Sequence, residues 1–448
     1  MYSEKNANDA RNAVMKHVKE LARLARSLER LTTVCKQCGV CISACPLYPQ
    51  TRLERDIARG KIALLEGVMC EAVKNAESVK DRLDRCLLCG GCAGVCPNSV
   101  NTQEIFLKAR VLITGYLGLS PLKKAIFRKL LARPERFNRV TGLTARTQSL
   151  FLKKMDADLG TSCARITASP LLDGRHVVGL APVPFHRQYR PEANQSRGGG
   201  RETVLFFTGC LIDKVFPRTA ISAVKALKYH DLNVVLPDNE GCCGIPALSA
   251  GDNISFRKLL SHNLKRFRSV HFDHLVTACA TCAFTIKKVW PMMVEQEDPD
   301  YGFIDEISRK TTDISELIAT RLEATPAARR DNAIPVTYHD PCHLKKSLGI
   351  DKAPRRLITA NPDYELIEMK DADACCGMGG GFGLAYNELS EQIGRRKLGH
   401  LLETGCRVVA TGCPACMIQL AGLLSRHGEK NMRVCHPVEI YMERKPGS

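Results

Sequence analysis

The apolar positions predict helices in the first third of the chain and alternating strands and helices after Glu202. Between residues 9 and 31, apolar side chains recur at steps of three and four residues, at Val14, Val18, Leu21, Leu24, Leu28 and Leu31. That period predicts an amphipathic helix. We expect this N-terminal helix, residues 1–33, to pack over the segment that follows it.

Helical patterns continue through residues 34–120, in the stretches KIALLEGVMCEAV and EIFLKARVLI. The stretch PLKKAIFRKLLA carries them into residues 121–202, whose later part contains Pro170, Pro182, Pro184, Pro191 and three glycines at 198–200. Prolines and glycines at this density predict a linker. We therefore expect a helical domain over 34–120, and a basic helical segment with a Pro/Gly-rich linker over 121–202.

After Glu202, short β-rich runs alternate with helical patterns, and the same order occurs twice. In residues 203–325 the predicted strands are VLFF, NVVLP and HLVTA, with helices near 218–229 and 255–269 and another after Cys282. In residues 330–448 they are PVTYH, YELIEM and RVVAT, with helices near 388–403 and from Cys416. This alternation predicts two tandem α/β domains with parallel sheets, hence an α+β multidomain chain.

Two near-identical cysteine runs lie in the helical domain, VCKQCGVCISACP and RCLLCGGCAGVCP. Both have the C-x2-C-x2-C-x3-C-P spacing with which bacterial ferredoxins hold 4Fe–4S clusters, and the last cysteine of such a run usually serves the other cluster. The spacing thus predicts one cluster on Cys35, Cys38, Cys41 and Cys96, and a second on Cys86, Cys89, Cys92 and Cys45. Zinc is the alternative that a single C-x2-C pair would favour, but eight cysteines in this double arrangement favour iron–sulfur.

A second cysteine pattern repeats in the two α/β domains with an offset of 132 to 134 residues. Its members are Cys210, Cys242, Cys243, Cys279 and Cys282 in the first copy, and Cys342, Cys375, Cys376, Cys413 and Cys416 in the second. Several fall where a predicted strand meets a predicted helix, the place where such folds bind ligands. Five thiolates exceed the needs of a tetrahedral zinc or one ordinary cube. Zinc in one site and bare thiols are the alternatives.

Charge and composition limit the binding partners and the cellular location that we expect for the protein. The chain has 448 residues, 22 cysteines and a net charge of +18, and residues 102–159 hold twelve Lys/Arg against four Asp/Glu. A basic surface attracts anionic lipid or an acidic protein; a solvated helical face is the alternative. Aromatic residues are sparse there, so we expect no nucleic-acid partner. No apolar run is long enough to span a membrane and no signal core is visible, so we expect a cytoplasmic location.

Other candidate residues carry weaker signals. His339 and His343 flank Cys342, where a proton relay or a cluster hydrogen bond competes with an ordinary surface or loop position. The glycines at 377, 379, 380, 381 and 383 fail the G-x-G-x-x-G register, and the chain has no flavin or nicotinamide signature. The remaining cysteines, Cys70, Cys163, Cys406 and Cys435, are mostly predicted to be buried thiols.

The order of two ferredoxin runs and two C-x(31–32)-CCG-x(35–36)-C-x2-C motifs resembles the iron–sulfur subunits of glycolate and D-lactate dehydrogenases. It is also similar to the C subunit of anaerobic glycerol-3-phosphate dehydrogenase and to the D subunit of heterodisulfide reductase. In these relatives the cysteine-rich CCG domain can hold a non-cubane 4Fe–4S cluster. The resemblance therefore implies two 4Fe–4S clusters, and one or two further non-cubane clusters on the ten repeated cysteines.

The resemblance also implies a function and partners. The expected role is an electron-transfer subunit that oxidises no substrate by itself and contains no assigned catalytic residue. Its partners would be an FAD-binding dehydrogenase subunit acting on a 2-hydroxy acid, and a quinone, cytochrome or electron-transfer protein as acceptor, with peripheral contact to an anionic membrane. One alternative is a disulfide reductase with a catalytic CCG cluster, and another is the C subunit of a glycerol-3-phosphate dehydrogenase. A structural scaffold is the third.

Overall fold

The computed structural model describes residues 2–164, 174–189, 201–323, 329–429 and 431–443, with residues 2–14, 16 and 17 described by their backbone alone. It has a helical N-terminal domain, a connecting segment and two α/β domains, as the sequence predicts. The side chain of Val14 and the predicted linker residues Pro170, Pro191 and 198–200 lie outside the described parts.

The first helix, Tyr2–Thr32, lies along the helical domain. Leu24 and Leu28 of the predicted apolar stripe are buried, whereas Val18 is exposed. Lys108 Nζ in the helix Thr102–Leu117 donates a hydrogen bond to Ser27 Oγ at 3.0 Å. The stripe is therefore a packing face in its second half only.

The helical domain with the two ferredoxin cysteine runs, residues 34–120, is the ferredoxin-like domain. It contains helices and no strand, and most of its helices are short because the cysteine loops interrupt them. The helices are Cys41–Ala44, Tyr48–Thr51, Ala58–Met69, Ala76–Asp84, Gly91–Gly94 and Thr102–Leu117, with a 3₁₀ turn at Glu54–Asp56. Arg110 ties this domain to its neighbour, because its guanidinium donates to the carbonyls of Cys86 at 2.6 Å and Ser249 at 2.8 Å.

The connecting segment contains more regular structure than predicted. The helices Pro121–Lys124 and Pro134–Phe151 flank a π-helical stretch, Ala125–Leu131. Three short strands follow, β1 (Leu152–Asp156), β2 (Thr161–Ala164) and β3 (Val177–Val178), in an antiparallel sheet of order β1-β2-β3, and then the helix Phe185–Gln188. The segment in which we expect a linker therefore includes short strands that lie on a neighbouring surface: Thr161 Oγ1 and His176 Nδ1 both contact Ser425 Oγ, at 2.6 and 2.8 Å, and dock the sheet on the second α/β domain.

The first α/β domain has a four-stranded parallel sheet of order β5-β4-β6-β7. Its strands are β4 (Thr203–Phe206), β5 (Asn233–Val235), β6 (His274–Thr277) and β7 (Thr311–Asp313). Its helices are Cys210–Lys214, Pro217–Tyr229, Ile245–Ser249, Asn253–Phe267, Ala280–Phe284, the π-helical Thr285–Val289, Trp290–Met293, Tyr301–Lys310 and Ile314–Ala319.

The second α/β domain repeats that topology, with the parallel order β11-β10-β8-β9. Its strands are β8 (Ile334–Tyr338), β9 (Tyr364–Leu366), β10 (Val408–Ala410) and β11 (Arg433–Cys435). Its helices are the π-helical His343–Ser347, Lys352–Thr359, Gly381–Ala385, Asn387–Leu402, Pro414–Arg426 and Pro437–Met442. Matched copy to copy, both sheets have the strand order 2-1-3-4, so the cysteine repeat is also a repeat of fold.

Two details differ from the sequence prediction. The fourth strand of each sheet was not predicted, because β7 and β11 are three residues long and β7 consists of polar residues. The helices near Cys282 and Cys416 begin earlier, at Ala280 and Pro414, because Cys279 and Cys413 are their extended N-cap residues. These two cysteines thus occupy equivalent positions between a strand and a helix.

Candidate metal centres

Eight cysteines of the ferredoxin-like domain line two neighbouring cavities. Cys45, Cys86, Cys89 and Cys92 line the first. Cys35, Cys38, Cys41 and Cys96 line the second, which Cys92 also borders. The last cysteine of each run therefore lies with the first three of the other run. This is the placement that the crossed ligand assignment requires; ligation itself stays a prediction.

The loops of the cysteine runs come close together because glycines stand at two tight positions. Gly90 has φ +73°, a left-handed conformation that side chains with a Cβ disfavour. A Cβ on Gly91 would lie 2.9 Å from Ala44 O, in the helix that precedes Cys45. The second run can therefore approach the first only with little or no side chain here.

The chemistry of these thiols fits a metal cluster. Burial raises the pKa of the Cys45 thiol to about 11, and burial also raises the pKa values of Cys89 and Cys92. Four clustered thiolates are thus unfavourable without a compensating cation, which is what a ligated cluster supplies. The buried Lys61, whose ammonium donates to Asp56 O, adds one positive charge beside the first cavity.

Site 1 consists of the five cysteines of the first α/β domain, and they gather at the carboxyl ends of its strands. Cys210 begins the helix after β4, Cys242 and Cys243 follow β5, and Cys279 and Cys282 follow β6. Cys210 Sγ lies 3.6 Å from Cys242 Sγ. Hydrogen bonds from the thiols of Cys242 and Cys282 hold the pKa of Cys243 well below its usual range. Neighbouring thiols and burial raise the pKa values of Cys242, Cys279 and Cys282, so the thiols of the site are not equivalent.

Two buried side chains that the sequence did not single out hold the cysteine pair of site 1. Asn263 Nδ2 donates to Cys242 O at 3.0 Å. Trp290 Nε1 donates to Cys243 O at 3.0 Å, and its ring stacks on Phe267 at 6.2 Å. Trp290 is the single tryptophan of the chain, which is the one signal the sequence offered.

Site 2 consists of Cys342, Cys375, Cys376, Cys413 and Cys416, at the corresponding strand ends of the second domain. Cys376 Sγ lies 3.5 Å from Cys416 Sγ. Hydrogen bonds from the thiols of Cys375 and Cys416 hold the pKa of Cys376 well below its usual range. The placement of its cysteines at the strand ends thus parallels that of site 1.

His339 belongs to site 2 and not to the surface. It is 1% exposed, and one of its ring nitrogens lies within 4.8 Å of both Cys376 Sγ and Cys416 Sγ. Among the described residues, its ring nitrogens form no hydrogen bond of normal geometry. A buried polar group without a partner is rare, so His339 fits a site whose missing partner is a cluster or its ligands.

His343 lies between the domains. Its Nε2 is 3.1 Å from Leu88 O in the ferredoxin-like domain, and its Nδ1 is 3.1 Å from Thr281 Oγ1 in the first α/β domain. Its ring stacks on Phe284 with 4.6 Å between centroids. The alternative of an ordinary surface position is therefore wrong for His343 as well, and its role is to join three domains.

The cysteine groups form one row. Sites 1 and 2 meet where Thr281 Oγ1 lies 3.4 Å from Cys413 Sγ, beside the bond from Ala280 N to Gly412 O at 3.0 Å, and there the thiols of Cys279 and Cys413 shift each other's pKa. Site 2 meets the first ferredoxin cavity where Cys375 and Cys89 pack against one apolar cluster, Leu47, Leu87, Phe382 and Ile393. The eighteen predicted ligands are thus arranged as second ferredoxin cavity, first ferredoxin cavity, site 2 and site 1.

Comparison with known proteins agrees with this arrangement. Residues 34–101 match the family described as a 4Fe-4S dicluster domain, and residues 204–287 and 336–421 each match the cysteine-rich domain family CCG. Together the matches cover the ferredoxin runs and the ten repeated cysteines.

The chain belongs to the superfamily of CCG-domain iron–sulfur proteins.

Three relatives show the range of this superfamily. The probable glycolate oxidase iron-sulfur subunit of Bacillus subtilis is 26% identical over 91% of this chain and 93% of its own length. The B subunit of the fumarate reductase (CoM/CoB) of Methanothermobacter marburgensis is 27% identical over 91% and 71%. The D subunit of the dihydromethanophenazine:CoB–CoM heterodisulfide reductase of Methanosarcina barkeri is 25% identical over 86% and 88%. The CCG-domain protein is thus an iron–sulfur electron-transfer protein related to subunits of several oxidoreductases.

The cysteines outside the motifs are distributed differently from the prediction. Cys406 and Cys435 are buried as expected, but Cys70 is exposed and Cys163 is half-buried. None of the four lines the two ferredoxin cavities.

A solvent-open cavity of about 240 Å³ lies beside site 1 of the CCG-domain protein. Phe185, Tyr189, Leu236 and Pro237 form its apolar wall, and His186 is among its polar residues. Asn138, Asp213 and Glu240 line both this cavity and a smaller one that Cys210 and Cys242 border. One layer of side chains therefore separates the larger cavity from site 1.

Proposed function

We propose that this chain is the electron-transfer subunit of an FAD-dependent 2-hydroxy-acid dehydrogenase. The observation that carries the proposal is the unbroken row of eighteen cysteines from the ferredoxin-like domain to site 1. A row of this kind is suited to conduct electrons through the chain. It is not what one isolated structural metal requires.

The ligand sets follow from the cavities. Cys35, Cys38, Cys41 and Cys96 would hold one 4Fe–4S cluster, and Cys86, Cys89, Cys92 and Cys45 a second. The five cysteines of site 1 and the five of site 2 would each hold a non-cubane 4Fe–4S cluster. Such clusters supply one-electron transfer when bound. The chain contributes the thiolates, excludes water by burial and supplies hydrogen-bond donors to the sulfurs.

The proposed partner is a flavoprotein that oxidises glycolate or D-lactate. The chain has no flavin or nicotinamide signature, so substrate oxidation needs another subunit. The Bacillus subtilis relative, similar along nearly its whole length, is named as a glycolate oxidase subunit. Electrons would enter at the ferredoxin-like domain and leave from site 1, where the 240 Å³ cavity gives a small acceptor such as a quinone access.

Peripheral contact with an anionic membrane is part of the proposal. One face of the helix Pro134–Phe151 presents Arg136, Arg139 and Arg146 together with exposed apolar residues, of which Leu143 is 63%, Leu150 67% and Phe151 62% exposed. Among the described residues, none forms an ion pair with these three arginines. Basic and apolar side chains on one helical face are typical of helices that lie in a membrane interface.

Within the described ranges, no individual helix has the length and apolar composition of a membrane span. One pair, Thr102–Leu117 and Pro121–Leu131, meets that criterion only when taken together, across a bend of 114°.

The test is anaerobic reduction of the reconstituted complex. The purified chain is mixed with its co-purifying flavoprotein, and glycolate, D-lactate or glycerol 3-phosphate is added while cluster absorbance is followed. Bleaching by a 2-hydroxy acid only in the presence of the flavoprotein is expected. Turnover by the flavin-free chain alone would refute the proposal, and bleaching by glycerol 3-phosphate alone would move the complex to the glycerol-3-phosphate dehydrogenase class.

A second candidate function is reduction of a disulfide at a CCG site. Both sites retain all five cysteines, and the Methanosarcina barkeri relative is named as a heterodisulfide reductase subunit. Fast reduction of a disulfide by the dithionite-reduced complex, lost on Cys243→Ala or Cys376→Ala, would favour this function. Retained disulfide reduction in those variants would speak against it.

A further inference from the structure

The internal duplication provides a built-in comparison between the two CCG sites. Both have the same five cysteines and the same strand order, so differences around them mark where the copies have diverged. The offset of 132 residues that relates Cys210 to Cys342 also relates Phe207 to His339. The backbones agree: Phe207 N donates to Val276 O in β6, and His339 N donates to Ala410 O in β10.

The first difference is a donor at site 2 that site 1 lacks. His339 faces the sulfurs of Cys376 and Cys416, and no other described residue satisfies its ring nitrogens. Phe207 has no polar side-chain atom; its ring packs edge-on against Phe267, with centroids 6.0 Å apart. At this position, an imidazole therefore lies beside the cysteine sulfurs in the second copy only.

The second difference is a buried lysine, whose pKa burial lowers to about 8, so that its ammonium form still predominates at pH 7. The offset of 134 residues that relates Cys279 to Cys413 relates the neutral Asn263 to Lys397. Both side chains are fully buried. Lys397 Nζ donates to Asp371 O at 2.6 Å and Ala372 O at 3.1 Å, in the loop that leads to the cysteine pair of site 2. Asn263 holds the loop of site 1 without any charge.

The charged side chains around the two sites also leave more positive charge at site 2 than at site 1. Around site 2, Lys345, Lys346 and Arg355 are matched by Asp340, Asp373 and Glu368, which leaves Lys397 as the one cation in excess. Site 1 has Lys214 against Asp213 and Glu240. Burial raises the pKa of Glu240 to about 8, and even without its charge site 1 has no excess of cations. The surroundings of site 2 are therefore the more electropositive.

We infer that His339 and Lys397 give site 2 a higher reduction potential than site 1, so that site 2 receives the first electron. Each added electron makes a cluster more negative. An N–H donor at sulfur and a nearby cation stabilise that reduced form. The sign is the same if His339 binds iron directly, because replacing a thiolate by neutral imidazole also raises the potential. The inference rests on the proposed clusters.

With this order of reduction, the two duplicated sites can together store two electrons. Site 2 lies between the ferredoxin-like domain and site 1, so a single electron would rest there and not proceed to site 1. A second electron then charges the pair of sites, which can deliver two electrons in succession to one acceptor. Each step moves one electron, and no bond forms or breaks within the chain.

The experiment is a redox titration of the holoprotein followed by EPR. In His339→Phe, which copies site 1, the midpoint of the site 2 signal should fall by at least a tenfold change in the reduction equilibrium, about 59 mV for one electron. Lys397→Asn, the other copy of site 1, should lower it as well. His339→Gln, which keeps an N–H donor, should restore part of the shift. The site 1 and ferredoxin signals serve as internal controls.

The reverse variant, Phe207→His, should raise the midpoint of site 1. An intact site 2 signal at its wild-type midpoint in His339→Phe would overturn the inference. If that variant loses the cluster, unshifted midpoints in both His339→Gln and Lys397→Asn would overturn it. A wild-type protein without any non-cubane signal would instead refute the proposed ligand sets of the CCG sites, and the inference with them.

Discussion

Cys279 of the first CCG domain and Cys413 of the second lie so close at the domain boundary that each thiol shifts the pKa of the other, raising that of Cys279 and lowering that of Cys413. Thr281 Oγ1 lies 3.4 Å from Cys413 Sγ on the same boundary, so a residue of the first domain contacts a proposed ligand of the second. The two sites are therefore direct neighbours, although each belongs to its own sheet.

This contact predicts that the sites respond together. Cys279→Ala should change the EPR signals of both CCG sites, because it removes a ligand of site 1 and the neighbour of a ligand of site 2. Cys210→Ala is the matched control, since its sulfur contacts Cys242 within site 1 and should disturb only that signal. A site 2 spectrum unchanged in Cys279→Ala would show that the sites are independent.

The crossed ferredoxin ligands predict that removing the last cysteine of one run abolishes the cluster held by the other run. Cys45→Ala should abolish the cluster on Cys86, Cys89 and Cys92 and leave the other cube, because Cys45 lines that cavity. Cys96→Ala should do the opposite. Iron analysis with EPR measures both, and Cys70→Ala, a change at an exposed cysteine outside the motifs, should alter neither. Damage by Cys45→Ala confined to the cube of its own run would contradict the assignment.

Trp290→Phe should weaken site 1 selectively. It keeps an aromatic ring but removes the Nε1 hydrogen bond to Cys243 O, which leaves a buried carbonyl without its partner. The cost in the free energy of unfolding should be about 1–3 kcal/mol. Denaturant unfolding measures it, and EPR should show a changed site 1 signal beside an unchanged site 2. A variant with wild-type stability and spectra would mean that this bond does not hold the cysteine pair.

Reversing the charge of Arg136, Arg139 and Arg146 to Glu should release the protein from anionic vesicles. Each basic residue near such a surface contributes about 1 kcal/mol at low salt, so losing three should weaken binding by about a hundredfold or more. Co-sedimentation at low and high salt is the measurement. The same reversal at Lys288, Arg309 and Arg329, exposed cations outside this face, is the control. Equal loss in both triples would indicate a mere effect of net charge.

Filling the cavity beside site 1 should block a small acceptor. Asn138→Trp places a large ring in a wall that the cavity shares with the space next to Cys210. Substrate-driven reduction of a soluble quinone by the reconstituted complex should fall at least tenfold, while the bleaching of the clusters by substrate stays unchanged. Asn138→Ala is the control. Undiminished quinone reduction in Asn138→Trp would place the acceptor elsewhere.

The sequence predicted the parts of this molecule that depend on local spacing. The cysteine runs, the two copies and most strands are readable because apolar runs such as VLFF and the cysteine intervals lie within short windows. The strand β7 was missed because TTD has no apolar residue and is stabilised only by its neighbour β6. The contact of Cys279 with Cys413 and the burial of His339 depend on how whole domains pack, which no local pattern encodes.

The exchanged positions of Cys45 and Cys96 have a consequence for biogenesis. Each ferredoxin cavity is lined by cysteines from both runs, so neither ligand set is complete until residues 35–46 and 86–97 have folded against each other. A nascent chain that has only the first run offers an iron–sulfur carrier the three thiols of one cavity and, at Cys45, a single thiol of the other. Maturation of the two cubes should therefore be all-or-none, and a chain interrupted between the runs should accumulate as an iron-free product for proteolysis.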